Sequence, residues 1–361
     1  MRRHYFDAEL DIGSSGVEEY SMAELRSRLD LDDLDAIVFR DSPTLGSREL
    51  REAIAARIPG AHPDRIVATH GSSEAIFLAM HAILAPGDEV VVLSPCYQQL
   101  QSTAEAIGCR IRHWALRADN GFRPDLDDLR RLMTAGVRMV VVNFPHNPSG
   151  VTLTPGEQDE LVNLCARSGA YLVWDAAFAE LVYDRPVLPD PSTRWERAVS
   201  LGTLSKAYGL PGLRVGWCVA PRALLDRFLR IRDYTTLHLS PLIEAIARRA
   251  LERADELLQP RLTLARANLT ILSEWVSGRG DVTWQRPSGG VCALVGLTGV
   301  GDTEKFCRVF CETQKTLIVP GSCFGLPQYI RVGFGKRGFQ AGLERLDLFR
   351  ASWPSLELAP A

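Results

Sequence analysis

The chain has 361 residues, 46% of them hydrophobic, and 41 Lys and Arg against 44 Asp and Glu give a formal net charge of −3. That is chain enough for two domains around sizeable cores, and the balanced charge provides no basic face for nucleic acid or an anionic membrane. No apolar run approaches the roughly 20 residues that a helix needs to cross a bilayer.

The opening Met1-Arg-Arg-His-Tyr-Phe-Asp-Ala-Glu9 has basic residues without an apolar stretch behind them, so it does not read as an export signal. Short β-branched runs then alternate with helical patterns. Arg65–Thr69, Glu89–Leu93, Arg110–Trp114, Met139–Asn143, Tyr171–Asp175, Ala198–Leu201 and Leu213–Val219 read as strands, with helices over Ser73–Leu84, Gln98–Ile107, Leu126–Thr134 and Pro155–Ser168. The strands are apolar almost throughout, as strands covered on both faces are. The alternation predicts an α/β fold with a mostly parallel, seven-stranded sheet.

From about Pro241 the pattern changes. A long helical segment runs from Leu242 toward Trp275 with an expected interruption at Pro260. Strand-like Val282–Gln285, Gly290–Val295, Thr316–Pro320 and Tyr329–Phe334 follow, mixed with two helices, before a frayed tail from Pro354. This predicts a smaller α+β domain over 246–361, a large domain over 41–245, and an N-terminal segment, 1–40, that joins the small domain. Eight cysteines carry no CxxC pair or metal-ligand grouping; they read as free thiols of a cytoplasmic protein without a metal.

Ligands of open α/β sheets collect at the carboxyl ends of strands, so the residues there carry the chemistry. His70-Gly-Ser-Ser-Glu-Ala75 opens a helix with free N–H groups and the hydroxyls of Ser72 and Ser73, an anion site or simply a capped helix start. Ser94-Pro-Cys-Tyr97 sets the Tyr97 ring where a planar group could stack. Asn143-Phe-Pro-His-Asn-Pro-Ser-Gly150 holds Asn147, donor and acceptor, in a rigid turn. Asp175 ends a strand so apolar that its carboxylate needs a cation, and a protonated pyridine nitrogen suits it. The stretch Ser200-Leu-Gly-Thr-Leu-Ser-Lys-Ala-Tyr-Gly-Leu-Pro-Gly-Leu-Arg-Val-Gly-Trp217 sets Lys206 behind Thr203 and Ser205 and ahead of Arg214. A lysine so placed suits an amine that bonds an aldehyde beside a bound phosphate.

In this order the residues resemble the aspartate-aminotransferase-like superfamily, the fold type I enzymes that use pyridoxal 5′-phosphate. The resemblance covers nearly the whole chain, and its strongest motifs are Asn147-Pro-Ser-Gly, Asp175 and Ser205-Lys206 with Arg214 beyond. It implies Lys206 as the catalytic lysine, Ser72, Ser73, Thr203, Ser205 and Arg214 as the phosphate cup, and Tyr97 as the stacking ring. It further implies Asn147 at the cofactor's phenolic oxygen, Asp175 at its ring nitrogen, and Arg331 on the substrate α-carboxylate. A homodimer with active sites at its interface is implied as well.

Two departures narrow the activity. Asp175-Ala-Ala-Phe178 has phenylalanine where the superfamily carries a tyrosine, which leaves Asn147 alone at the phenolic oxygen. Asp41-Ser-Pro-Thr-Leu-Gly46 has an aspartate where a phosphate-reaching tyrosine is usual, and an aspartate suits a cation instead. The N-terminal Asp11-Ile-Gly-Ser-Ser-Gly-Val-Glu-Glu19 lies where the superfamily's substrate-covering loop lies, and offers Ser14, Ser15, Gly16, Glu18 and Glu19. With Asp41, these acids point to a guanidino amino acid as substrate. The strings at Asp11–Val17, Ala68–Ala75, Val173–Glu180 and Arg232–Pro241 together resemble the capreomycidine-forming cyclases of the superfamily. That implies loss of water from a 3-hydroxyarginine-like substrate and closure of a ring by its own guanidine. An ordinary aminotransferase, passing an amino group to a 2-oxo acid, is the alternative that the same cofactor residues allow.

Overall fold

The structure is a computed structural model, and it describes residues 5–357. The first four residues, which carry much of the N-terminal charge run, and the last four residues of the tail lie outside the described residues.

In chain order the strands are β1 (Leu10–Asp11), β2 (Ile66–Thr69), β3 (Glu89–Ser94), β4 (Arg110–Ala115), β5 (Val137–Asn143), β6 (Tyr171–Asp175), β7 (Ala198–Thr203), β8 (Gly216–Val219), β9 (Val282–Trp284), β10 (Cys292–Leu297), β11 (Thr316–Leu317), β12 (Val319–Pro320) and β13 (Tyr329–Gly333). Seven of them form one sheet in the order β2-β8-β7-β6-β5-β3-β4. All run parallel except β8, which is antiparallel to both neighbours. Alternate residues feed two apolar layers. Val90, Val92, Val141 and Val173 face one, while Val91, Val140, Val142, Leu172 and Trp174 face the other. The flanking helices start and stop where the sequence dictates. Pro155–Ser168 opens with a Thr154–Glu157 capping box and closes on Gly169 at φ 71°, and Gln98–Ile107 closes on Gly108 at φ 91°.

A second, antiparallel sheet in the C-terminal part has the order β12-β13-β10-β9. The N-terminal strand β1 pairs in parallel with β11, so the start of the chain is bound to this later part. Asp11 Oδ1 then accepts from the backbone N–H of Gly13 at 3.0 Å and of Ser14 at 2.8 Å, which turns the loop toward the large sheet. Gly13 is required there, because a Cβ would stand 2.8 Å from the Ile318 backbone.

Four expectations need correction. Leu213 is not in a strand: Pro211–Leu213 forms a 3₁₀ turn, Arg214 takes a left-handed φ of 54°, and β8 begins only at Gly216. The long helical segment breaks at Arg253, between Pro241–Glu252 and Ala254–Ser277, and runs on through Pro260. Pro260 and Glu256, whose carbonyl loses its helical partner, both lie on the exposed face, where water can satisfy that carbonyl. Thr316–Pro320 is two strands, β11 and β12, which pair with different partners. The tail from Pro354 is helical as far as Glu357, as the end of the helix Phe339–Glu357.

Candidate active site

Backbone pairing aligns the functional strand ends. Asn143 is in register with Asp175, and Asp175 with Leu201, so the loops after β5, β6 and β7 leave the sheet side by side. Asn143 also ties them together: its Nδ2 donates to the Asp175 carbonyl at 2.9 Å, and its Oδ1 accepts from the Asn147 N–H at 2.9 Å. His146 fastens the Asn147 loop to the Tyr97 turn, with Nε2 2.7 Å from the Pro95 carbonyl and Nδ1 2.7 Å from Ser149 Oγ. Burial pushes its pKa down to about 4, so it is a neutral clip and not a charge.

The anion-binding side is built from three segments. The helix Gly71–Ile83 starts with Ser72 and Ser73 in its first turn, and their hydroxyls make no hydrogen bond among the described residues. Gly216 brings β8 against that turn, since a Cβ there would stand 2.5 Å from the Ser72 nitrogen. Thr203 Oγ1 donates to the Val215 carbonyl at 3.1 Å and lies 2.9 Å from Ser205 Oγ. The Arg214 guanidinium lies over the helix start, 2.5 Å from where a Gly71 side chain would be, with Nη1 3.5 Å from Ser205 Oγ. An arginine, four hydroxyls and the positive end of a helix thus share one corner.

Lys206 and Asp175 occupy the centre. Lys206 Nζ donates to Ser15 Oγ at 3.1 Å and lies 5.8 Å from the centre of the Phe178 ring. Burial, then repulsion from Arg331, pushes the amine's pKa down to about 8. Asp175 is 4% exposed and, among the described residues, forms no ion pair and accepts only the Ala177 N–H at 3.0 Å. Burial pushes its carboxyl up to about 6, against the pull of that N–H and of Lys206. A buried carboxylate without a cation fits a protonated ring nitrogen. Phe178, 3% exposed, offers no donor where a tyrosine would.

Arg331 of β13, expected on the substrate side, is 5% exposed. Its Nη2 and Nε donate to the Gly13 carbonyl at 2.8 and 3.2 Å, and its Nη1 donates to Asn147 Oδ1 at 3.0 Å. No carboxylate pairs with it among the described residues, so a buried guanidinium awaits an anion. The same Asn147 oxygen accepts from Cys292 Sγ at 3.6 Å, which leaves the amide nitrogen for a ligand. Ser14 Oγ is buried without a partner, and at Gly16 a side chain would meet nothing within 4 Å.

The geometry therefore gathers Ser14, Ser15, Asn147, Asp175, Lys206 and Arg331 in one buried cluster, with Ser72, Ser73, Thr203, Ser205 and Arg214 as an anion corner. Tyr97, 44% exposed, stands at the start of Gln98–Ile107. The acids expected to draw a guanidinium are placed otherwise. Glu19 is held by Lys336 at 2.6 Å and Glu18 by the Arg337 N–H at 2.9 Å, so both are engaged in holding the loop. The Asp41 side chain is 98% exposed and pairs with His238 Nε2 at 3.1 Å. Asn143, His146 and Cys292 were missed. Asn143 and His146 flank a recognised turn and could have been found from their place in it, whereas Cys292 reaches Asn147 only across the fold.

These residues fit pyridoxal 5′-phosphate: an uncompensated carboxylate for the ring nitrogen, a desolvated amine for the aldehyde, and hydroxyls beside Arg214 for the phosphate. The family model for aminotransferase class I and II matches residues 37–345. The chain is 47% identical to capreomycidine synthase of Streptomyces vinaceus, over 96% of this chain and 92% of that protein. It is 28% identical to the arginine–pyruvate transaminase AruH of Pseudomonas aeruginosa, over 80% of this chain and 76% of the relative. Among solved structures, the PLP-dependent cyclase OrfR superposes with a TM-score of 0.92 at 45% identity, over 98% of this chain and 95% of that one. A PLP-dependent aminotransferase from Streptococcus suis gives the same TM-score of 0.92 at 27% identity, over 96% and 95% of the two chains. The match spans both sheets and every strand end described above, and the chain belongs to the aminotransferase class I and II family.

Proposed function

We propose that this protein is a pyridoxal 5′-phosphate-dependent cyclase that converts a 3-hydroxyarginine-like amino acid into a cyclic guanidino amino acid of the capreomycidine type. The observation that carries this reading is the 47% identity to capreomycidine synthase over nearly the whole chain. When bound, the cofactor supplies an electron sink for negative charge at the substrate Cα. Asp175 would hold its ring nitrogen protonated, Arg214 with Ser72, Ser73, Thr203 and Ser205 would bind its phosphate, and Tyr97 would cover its ring.

Arg331 grips the substrate carboxylate. The Lys206 amine takes the Cα proton, and as an ammonium it protonates the departing β-hydroxyl, which leaves as water. Ser15, 3.1 Å from Nζ, and the unpartnered Ser14 hydroxyl position that leaving group. A guanidine nitrogen then bonds to Cβ, gives up its proton, and Cα regains one. The sum is loss of one water with every nitrogen kept. Because the nucleophile is tethered, orientation replaces an encounter, and effective molarities of ~10⁵ M or more become accessible.

The exposed apolar residues Val38, Phe39, Tyr234 and Leu237 support a homodimer. They sit on two segments joined by the Ser42–His238 hydrogen bond and the Asp41–His238 pair, so that Asp41 would lie beside the partner subunit. The guanidino substrate and a role for Asp41 in its recognition belong to the same proposal. So do a cytoplasmic location, which eight free cysteines support, and the domain division at 41–245 and 246–361. Incubating loaded enzyme with 3-hydroxyarginine and no 2-oxo acid tests the reaction. A product lighter by one water supports cyclisation, and turnover only on adding a 2-oxo acid supports an aminotransferase.

A further inference from the structure

A cavity of about 420 Å³ lies between the ends of β6, β7 and β8 on one side and the segments 57–59 and 187–190 on the other. Lys206, Asp175, Asn147, Arg331 and Arg214 do not line it, and of the cofactor residues it touches only Thr203. Its size falls in the range of small-molecule pockets, ~300–1,000 Å³. The walls are mostly apolar and include two indoles, Trp174 and Trp217. The Trp217 ring lies across Gly202, where any side chain would collide with it. The other end is polar. Arg57 Nη2 donates to Glu180 Oε1 at 2.6 Å, which spends their charges on each other. Two donors there are left over. The Tyr208 hydroxyl, on a side chain 2% exposed, lies close to Glu180 and Arg57 without a hydrogen bond of ordinary geometry to either, and Arg57 Nε is buried without a partner among the described residues. Buried polar groups are rarely left so without a ligand or water to meet them. The remaining lining charge, Asp190, accepts from the Ser192 N–H at 2.9 Å and from its hydroxyl at 2.6 Å. With Arg57 and Glu180 cancelling, that leaves the lining one negative charge, which disfavours an anionic guest.

We propose that this cavity is a second small-molecule site, built for a flat, uncharged, mainly apolar molecule that presents one carbonyl-type acceptor to Tyr208 and Arg57. The inference does not depend on the cyclase reading. Its walls include Ala177 and Ala207, each next to or near a central residue of the active site, so an occupant bears on the loops that carry Asp175 and Lys206.

The test is calorimetric titration of the loaded, full-length enzyme with indole-3-acetamide. Expected is saturable binding of one molecule per protomer, weakened between twofold and about tenfold by Tyr208→Phe, in keeping with one neutral hydrogen bond. Ala179→Trp, which fills the cavity, should abolish it, with the melting temperature checked to show that each variant folds. Arg331→Ala should leave it intact, and indole-3-acetate should bind more weakly. No saturable binding to the wild-type enzyme overturns the proposal, as does equal binding by the Tyr208→Phe and Ala179→Trp variants. Loss in Arg331→Ala would place the amide in the catalytic cleft, and tighter binding of the acetate would overturn the uncharged class.

Discussion

The half of the site proposed to hold the cofactor and the half proposed to hold the substrate are built on different principles. The cofactor half hangs from the ends of β5, β6 and β7, whose register fixes Asn143, Asp175 and Thr203 before any side chain is considered. The substrate half is a loop from the start of the chain. It is laid against β13 and held by Asp11, by the Gly13 carbonyl on Arg331, and by Lys336 between Asp11 and Glu19. In the first half charges are left unpaired, as Asp175 and Lys206 are. In the second most charges are spent on the loop itself, and among the described residues Arg331 is kept free of an acid. The difference teaches that the count of acids in a loop says little about the substrate until their partners are known.

Four changes would break or sharpen that contrast. Lys206→Ala should have the largest effect, a loss of turnover of ~10³-fold or more together with the cofactor's near-ultraviolet and visible absorbance, read by kinetics and spectroscopy. Retained turnover would move the chemistry elsewhere. Arg331→Ala should lower kcat/KM by ~10²–10³-fold, the usual cost of truncating one side of a buried charge pair. Amine analogues that lack the α-carboxylate should be spared, as a substrate series would show.

Asp175→Asn should weaken cofactor retention and change the pH dependence of the cofactor-free protein. The folded carboxyl titrates near 6 against an ordinary 3.8. Its raised value means that its contribution to stability is present below pH 3.8 and is lost as pH rises to about 6. Thermal melts across that window should show the decline in the wild type and not in the asparagine variant. Asp41→Asn should have the smallest effect, less than about fivefold, as expected for an exposed charge. A loss confined to guanidine-bearing substrates keeps the residue in recognition, while an equal loss on neutral amino acids removes it.

The residues proposed to hold the cofactor were legible in the sequence because most sit at a strand end beside a turn, where position alone carries meaning. Gln98–Ile107 and Pro155–Ser168 were legible to the residue because a glycine follows each, and a capping box opens the second. What stayed hidden depended on contacts across the fold. The reversal of β8 is invisible in a run of apolar residues, and Pro260 gave no sign that its free carbonyl neighbour faced water. Glu18 and Glu19 read as open acids because their partners, Lys336 and the Arg337 N–H, lie some 317 to 319 residues away. The cavity beside Trp217 was likewise unreadable, since it joins residue 57 to residue 217.

The most direct test of the central claim follows the new bond itself. Loaded enzyme is given 3-hydroxyarginine labelled with ¹³C at Cβ and ¹⁵N in the guanidine, with no 2-oxo acid present, and the product is examined by NMR. The account predicts a one-bond carbon–nitrogen coupling between Cβ and a guanidine nitrogen, at the rate at which substrate disappears. An uncoupled Cβ, in a 2-oxo acid or in unchanged starting material, would contradict it.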